Sequence, residues 1–160
     1  ADPGLDAPAL AGYGATLIAA SSVFNGLGRL FWGGLSDRIG RGFTFRLLLA
    51  TQVLAFLALA RVTQPWLFAI LVCYVLLCYG GGFGTMPSFV LDTFGSRRLP
   101  VVYGSILTAW SAAGIVGPQI MAWLKDHHSH HAAPFAFHIG AAFLALGLII
   151  SLPLKGARAK

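Results

Sequence analysis

Gly33-Gly34-Leu35-Ser36-Asp37-Arg38-Ile39-Gly40-Arg41 is the stretch on which the reading of this chain turns. It gathers a carboxylate, two arginines and several glycines between two apolar runs, residues 11–35 before it and 43–60 after it. Each flank approaches the roughly 20 residues that cross about 30 Å of hydrocarbon. A charged connection this short, between two runs of that length, reads as a tight turn at a membrane surface. Gly33, Gly40 and Gly42 permit such turning and a close approach to helix ends.

Three more apolar runs follow, at 66–91, 101–124 and 135–154. The chain is 57% hydrophobic and only 10% charged, with a mean hydropathy of +0.76, whereas soluble domains carry roughly 25% charged residues. The expected fold is therefore an all-α membrane protein with five transmembrane helices in one bundle, joined by short connections at 36–42, 61–65, 92–100 and 125–134. Successive helices are expected to be antiparallel neighbours. The first and third runs exceed one bilayer width, which predicts tilt or kinking. A secretory leader is excluded for the first run, which is too long and lacks a basic flank before it. The polar run Asp2-Pro3-Gly4-Leu5-Asp6, without an initiating Met, reads as a loop cut from something longer. Cys73 and Cys78 lie about 140° apart on one helix, poorly placed to pair or share a metal.

The net charge of +6 does not indicate a nucleic-acid partner, because the basic residues are segregated by side. Arg38, Arg41, Arg46, Arg97, Arg98, Lys155, Arg158 and Lys160 share one set of connections, and only Arg61 and Lys125 occupy the other. By the positive-inside rule the first set is cytoplasmic. The N-terminus is then external and the C-terminus cytoplasmic.

The five runs differ in character. The second and fifth are close to uniformly apolar, as lipid-facing outer helices would be. The first carries Ser21, Ser22, Asn25 and Arg29 on one face, and the fourth carries Gly104, Ser105, Thr108, Ser111, Gly114 and Gly117. The third contains Gly80-Gly81-Gly82-Phe83-Gly84 and then Pro87, a cluster that lets a helix bend or break, although structural packing alone also explains the glycines. Small residues let helices approach closely, so these three are expected to line a protein interior or a water-filled path. Arg29 lies about six residues, on the order of 9 Å, from the cytoplasmic end of its run. Two readings stand for it: a long side chain snorkelling to the interface, or a cation facing a cavity in a polar stripe with Asn25 and Ser22. We also expect Arg41 to pair with Asp92 at the cytoplasmic end of the third run.

The opening stretch resembles the signature G-x-L-[AS]-D-R-x-G-R-[RK] of the major facilitator superfamily, with Gly42 departing at the final basic position. Asn25-Gly26-Leu27-Gly28-Arg29, the glycine run after Tyr79, Asp92-Thr93-Phe94-Gly95 and the segment from Tyr103 to Trp110 are similar to the oxalate/formate antiporter family within it. The resemblance covers about residues 11–153. It implies that residues 1–160 are part of the C-terminal six-helix half, helices eight to twelve of a twelve-helix fold. The seventh helix and the whole N-terminal half would then be missing. Such a chain would belong to a secondary active transporter for small organic anions, of the monocarboxylate or oxalate/formate type. It would work by alternating access and be inactive alone.

The resemblance implies a substrate-binding set of Arg29, Asn25, Trp110, Tyr79 and Thr108, with the Arg29 guanidinium on a carboxylate, and a cytoplasmic gate of Asp37, Arg38, Arg41 and Asp92. Trp110, roughly 14 Å into its run, stands where oxalate-carrying members have a second cation. That departure favours small monocarboxylates, with Trp110 and Tyr79 shaping an apolar wall; helix packing is the other reading of Trp110. The implied partners are the lipid bilayer of a plasma (inner) membrane, a small organic anion, a coupled proton or counter-anion, and the missing half. An exporter of another substrate class, or a truncated membrane protein that transports nothing, are the alternatives.

His127, His128, His130 and His131 could hold a divalent metal, but a solvated external loop is the simpler reading, and neither metal nor cofactor is expected. The chain contains no Glu. No nucleophile–base pair or phosphate-binding loop points to an enzyme.

Overall fold

The computed structural model describes residues 7–127 and 132–153. His128, His130, His131, Lys155, Arg158, Lys160 and the polar run at 2–6 lie outside the described residues. Five helices follow one another: α1 (Ala7–Ile39), α2 (Arg41–Leu59), α3 (Pro65–Phe94), α4 (Leu99–His127) and α5 (Ala132–Ser151). All five are long and apolar enough to cross a membrane. Helices are the form such segments take, because hydrocarbon offers no partner to a free backbone amide or carbonyl. Large apolar side chains cover the outside of the bundle, among them Leu30, Val101 and Ile115. That surface suits lipid and would be unstable in water.

α1, α3 and α4 run further than their apolar runs at both ends. The charged stretch between the first two helices is not a loop: α1 continues through Ser36, Asp37 and Arg38, and only Gly40 interrupts the helical path. The Gly40 amide bonds back to the Ser36 carbonyl at 3.0 Å, while its own carbonyl accepts from Thr44 at 3.0 Å. One residue thus closes one helix and opens the next. It does so at φ 90° and ψ 139°, a conformation open essentially to glycine alone. Gly33 and Gly42 are ordinary helical residues, so the turning expected of three glycines is done by one.

α3 starts with Pro65 in its first turn, where the missing amide hydrogen has no helical role. It ends at Gly95, whose amide donates to the Leu91 carbonyl at 2.9 Å. Between them the helix is unbroken through residues 80–87, including Pro87. The glycine run does not unwind. Its glycines are used instead for contact with α1, and this is the closest packing in the bundle.

α1 and α3 run parallel, and theirs is the most extensive contact between any two helices, more so than between sequence neighbours. A Cβ on Gly28 would overlap the Leu77 backbone, and one on Gly81 would overlap the Trp32 side chain. A Cβ on Gly80 would meet the carbonyl and side chain of Asn25, and one on Gly84 the backbone of Arg29. The partners advance together along both helices, which sets the direction. Trp32, Leu48 and Cys78 form the buried centre where α1, α2 and α3 meet, with Phe45, Tyr74 and Leu77 packed around it.

α2 is not an outer helix within this chain. It touches α1, α3 and α5 and buries Thr44, Leu48, Ala55 and Leu59. An apolar helix can be packed on any side, so uniform hydrophobicity did not locate it. α5 lies at the edge against α2 and α4, where Gly140 receives the Phe56 ring. α4, expected inside for its small and polar residues, buries only Leu124 among its described residues. Among the described residues nothing approaches a Cβ at Gly104, Gly114 or Gly117.

Candidate functional site

Two groups of the sequence-derived residues are assembled by this packing, one midway along the helices and one at their arginine-rich end. The first is built on α3. Its α1-facing side presents Gly80 and Gly84, and against these glycines lie Asn25 and Arg29. About 60–100° further round the α3 axis come Tyr79 and Phe83, which face α4. The Trp110 indole donates its Nε1 hydrogen to the Tyr79 hydroxyl at 2.8 Å. Phe83 joins the two rings, with its centroid 5.1 Å from Tyr79 and 5.6 Å from Trp110, edge to face in both cases.

Arg29 is exposed and makes no ion pair among the described residues. Because α1 extends to Ile39, Arg29 stands about 15 Å from the helix end, with the charged residues Asp37 and Arg38 in between. A guanidinium inside an apolar run needs either a reach to an interface or a charged partner. Asn25 is half-buried beside it. Ser22 gives its hydroxyl to the Ile18 carbonyl at 2.8 Å and so offers less to a ligand. Tyr79 and Trp110 are both exposed, and they also line a cleft of ≈ 340 Å³ between α2, α3 and α4. That cleft is walled mainly by apolar side chains such as Leu48, Met86 and Ile106.

Thr108 is not brought to this group. It sits about 160° round α4 from Trp110, and its hydroxyl bonds to the Gly104 carbonyl at 3.0 Å. Phe83 is the residue that sequence reasoning passed over. The available signal was its spacing of four from Tyr79, which puts both rings on one face of a helix.

At the other site Arg41 ties three helix ends together. Its Nε donates to the Asp92 carboxylate at the end of α3, so the pair expected from the sequence is present. Its terminal nitrogen lies 3.3 Å from the Asp37 carboxylate in the last turn of α1. Both carboxylates sit at the negative ends of helix dipoles, an unfavourable place for an anion. One cation, three-quarters buried at 25% side-chain exposure, offsets both. Arg38 is exposed and makes no ion pair among the described residues.

His127 stacks on Trp123 with centroids 4.6 Å apart, and its Nδ1 lies 2.9 Å from the Trp123 carbonyl oxygen. Among the described residues, no three His, Cys, Asp or Glu side chains gather into a metal site.

Five helices long and apolar enough to cross a membrane, joined at one end by an ion-paired charged turn, define a polytopic membrane protein. Residues 6–160 match the Major Facilitator Superfamily, and the chain belongs to that family. Membership points to a transporter rather than an enzyme. The chain is 35% identical over 101 residues to a Toxoplasma gondii protein titled "Apicoplast pyruvate carrier 1", a match covering 61% of this chain and 18% of that protein. It is 27% identical over 133 residues to the "Oxalate:formate antiporter" of Oxalobacter formigenes, covering 82% of this chain and 32% of that protein. The chain thus spans a third or less of the relatives it matches. No solved structure matches it.

Proposed function

We propose that this chain is the helix-eight-to-twelve portion of a secondary active carrier for small carboxylates. The observation that carries the reading is Arg29, an exposed guanidinium without an ion-pair partner among the described residues, beside Asn25 on the glycine face of α3. A guanidinium meets one carboxylate with two parallel donors. Oxalate, formate and pyruvate, the compounds in the relatives' titles, have only that group in common. Trp110 and Tyr79 in place of a second cation favour a monocarboxylate.

Alternating access in such carriers is the rocking of two halves about a central site. In this reading the second half lies outside this chain, and the chain alone is inactive. The arginine-rich end is cytoplasmic in a plasma (inner) membrane, with the first helix starting outside. Asp37, Arg38, Arg41 and Asp92 then form a gate whose ion pairs hold α1, α2 and α3 together in one state. A proton or a counter-anion supplies the coupling.

The test is uptake of radiolabelled formate, pyruvate and oxalate by proteoliposomes containing the full-length protein. Saturable uptake of a monocarboxylate that Arg29→Gln abolishes is the expected result. Uptake that is unaffected by Arg29→Gln overturns the site. Uptake by this chain alone overturns the requirement for the other half.

A further inference from the structure

α2 lies between α3 and α5, and among the described residues the backbones of those two flanking helices do not approach each other. At the end remote from the arginines the space between them is closed by rings. There Phe137 of α5 stands edge to face with Phe56 of α2 at 6.0 Å and with Phe68 of α3 at 6.4 Å. At the arginine-rich end Phe89 of α3 packs on Phe45 of α2 instead, at 5.2 Å, and a groove of ≈ 170 Å³ remains between the three helices. Phe45, Leu49, Met86 and Phe89 wall it, with Arg46 and Ser151 as its polar lining. Ser151 gives its hydroxyl to the Leu148 carbonyl at 2.6 Å, which leaves Arg46 to meet a polar ligand.

Arg46 is partly buried and lies about 8 Å deeper along α2 than Arg41. Arg41 belongs to the ion-paired turn with Asp37 and Asp92, which places it in the polar layer of the membrane. That layer is about 5–8 Å thick on each side, so Arg46 stands where phosphates give way to acyl chains. A helical side chain leans toward the N-terminus of its helix, here toward the polar layer. The arginine stem can follow the groove while the guanidinium stays among headgroups. Leu91, Ile149, Ile150 and Leu152 are exposed at the same end, a surface suited to hydrocarbon.

These features fit one class of occupant. A small free anion would find walls that offer it no hydrogen bond beyond Arg46. A purely apolar chain would leave the cation facing hydrocarbon, at a cost. An amphiphile with a phosphate above an acyl chain meets both demands. Arg46 has a contact of its own within the protein, but a guanidinium carries five donors and matches phosphate with two in parallel.

We propose that the groove between α2, α3 and α5 binds an anionic phospholipid, its phosphate on Arg46 and the first part of an acyl chain along Phe45, Leu49, Met86 and Phe89. The site is separate from Arg29 and Asn25, and it does not depend on the carboxylate-carrier reading.

The experiment measures the thermal midpoint of the full-length protein in an uncharged detergent at low salt, titrated with phosphatidylglycerol, phosphatidylcholine or sn-glycerol 3-phosphate. Phosphatidylglycerol should raise the midpoint saturably, and the other two should do so far less. Arg46→Gln, referred to its own lipid-free midpoint, should raise the half-saturating phosphatidylglycerol concentration about tenfold, the loss of hydrogen bonding to a charged group. Arg97→Gln/Arg98→Gln removes two exposed arginines from the turn between α3 and α4. In an uncharged micelle such exposed charges contribute little, so this double variant should change the half-saturation less than Arg46→Gln does.

No shift with phosphatidylglycerol, or an equal shift with phosphatidylcholine, overturns the proposal. Equal stabilisation by sn-glycerol 3-phosphate shows a site for a free anion and overturns the lipid. Equal effects of Arg46→Gln and the Arg97/Arg98 variant show general attraction to a basic surface and overturn the groove. Should Arg46→Gln not fold, Arg46→Lys decides: it keeps the charge and loses the planar fork, so a half-saturation raised by a smaller factor supports the site and an unchanged one overturns it.

Discussion

The Arg41 side chain reaches from the first turn of α2 to the Asp92 carboxylate at the end of α3, joining residues that stand 51 positions apart. The same guanidinium lies 3.3 Å from Asp37, so one cation holds the ends of three helices. Both acids sit where helix carbonyls point outward, and each alone would be repelled by its own helix. The arrangement makes Arg41 the member whose loss leaves two anions uncompensated.

That asymmetry can be measured. Arg41→Gln should lower the thermal midpoint of the purified full-length protein more than Asp92→Asn does. The coupling in an Arg41/Asp92 double-mutant cycle should be about 0.2–1 kcal/mol, the range for pairs that remain partly exposed. Equal single effects and zero coupling would show that the pair contributes nothing to holding the helix ends.

Gly40 gives a second prediction. Its φ of 90° with ψ of 139° lies in a region where a side chain costs about 1–3 kcal/mol, although open space surrounds its missing Cβ. Gly40→Ala should therefore destabilise through the backbone alone. Gly33→Ala, equally uncrowded but helical, should be neutral or slightly stabilising because alanine favours helix. A thermal-shift comparison of the two in detergent decides it.

The α1–α3 contact predicts a contrast along one helix. Gly28→Ala places a methyl group on the Leu77 backbone, whereas Gly26→Ala meets nothing among the described residues. The first should cost about 1–3 kcal/mol as the helices are forced apart, and the second close to none. Gly80→Ala should resemble Gly28→Ala, since its methyl group meets the Asn25 backbone. Thermal or denaturant unfolding of the three variants checks the order.

Arg29 separates function from stability. It makes no ion pair among the described residues, so Arg29→Gln should leave the unfolding free energy of the ligand-free protein within about 0.5 kcal/mol of wild type. Arg29→Lys keeps the charge and loses the planar two-donor fork. It should reduce monocarboxylate uptake by at least about tenfold while saturation behaviour persists. Wild-type uptake in Arg29→Lys would show that charge alone suffices.

Several of these relationships were legible before any tertiary structure. The Arg41–Asp92 pair could be read because membrane topology leaves a charged residue few partners, those at the same end of the bundle. Arg29 stood out because an arginine inside an apolar run demands an explanation. The glycine run was read as permitting either a bend or close helix approach, and the structure shows the second. Glycine permits unwinding and close approach alike, and only a neighbour decides between them; here Asn25, Trp32 and Arg29 on α1 do so. Thr108 was grouped with Trp110 through the resemblance, and helical geometry places it about 160° round α4 from Trp110. Phe83 was passed over although its spacing of four from Tyr79 put the two rings on one face, because what it does is touch two other rings.

By itself the sequence determined the solvent, the number of crossings and the kind of chemistry available. Apolar length and the scarcity of charge leave a helical membrane protein as the only stable outcome, because every backbone polar group in hydrocarbon must be satisfied locally. The tertiary structure decided what local pattern cannot carry: that α1 lies along α3 rather than chiefly along α2, that α2 is central, and that Trp110 addresses Tyr79. Those choices depend on which surfaces fit. Between helices in lipid, fit comes from van der Waals packing and hydrogen bonds across the interface, not from the hydrophobicity all the helices share.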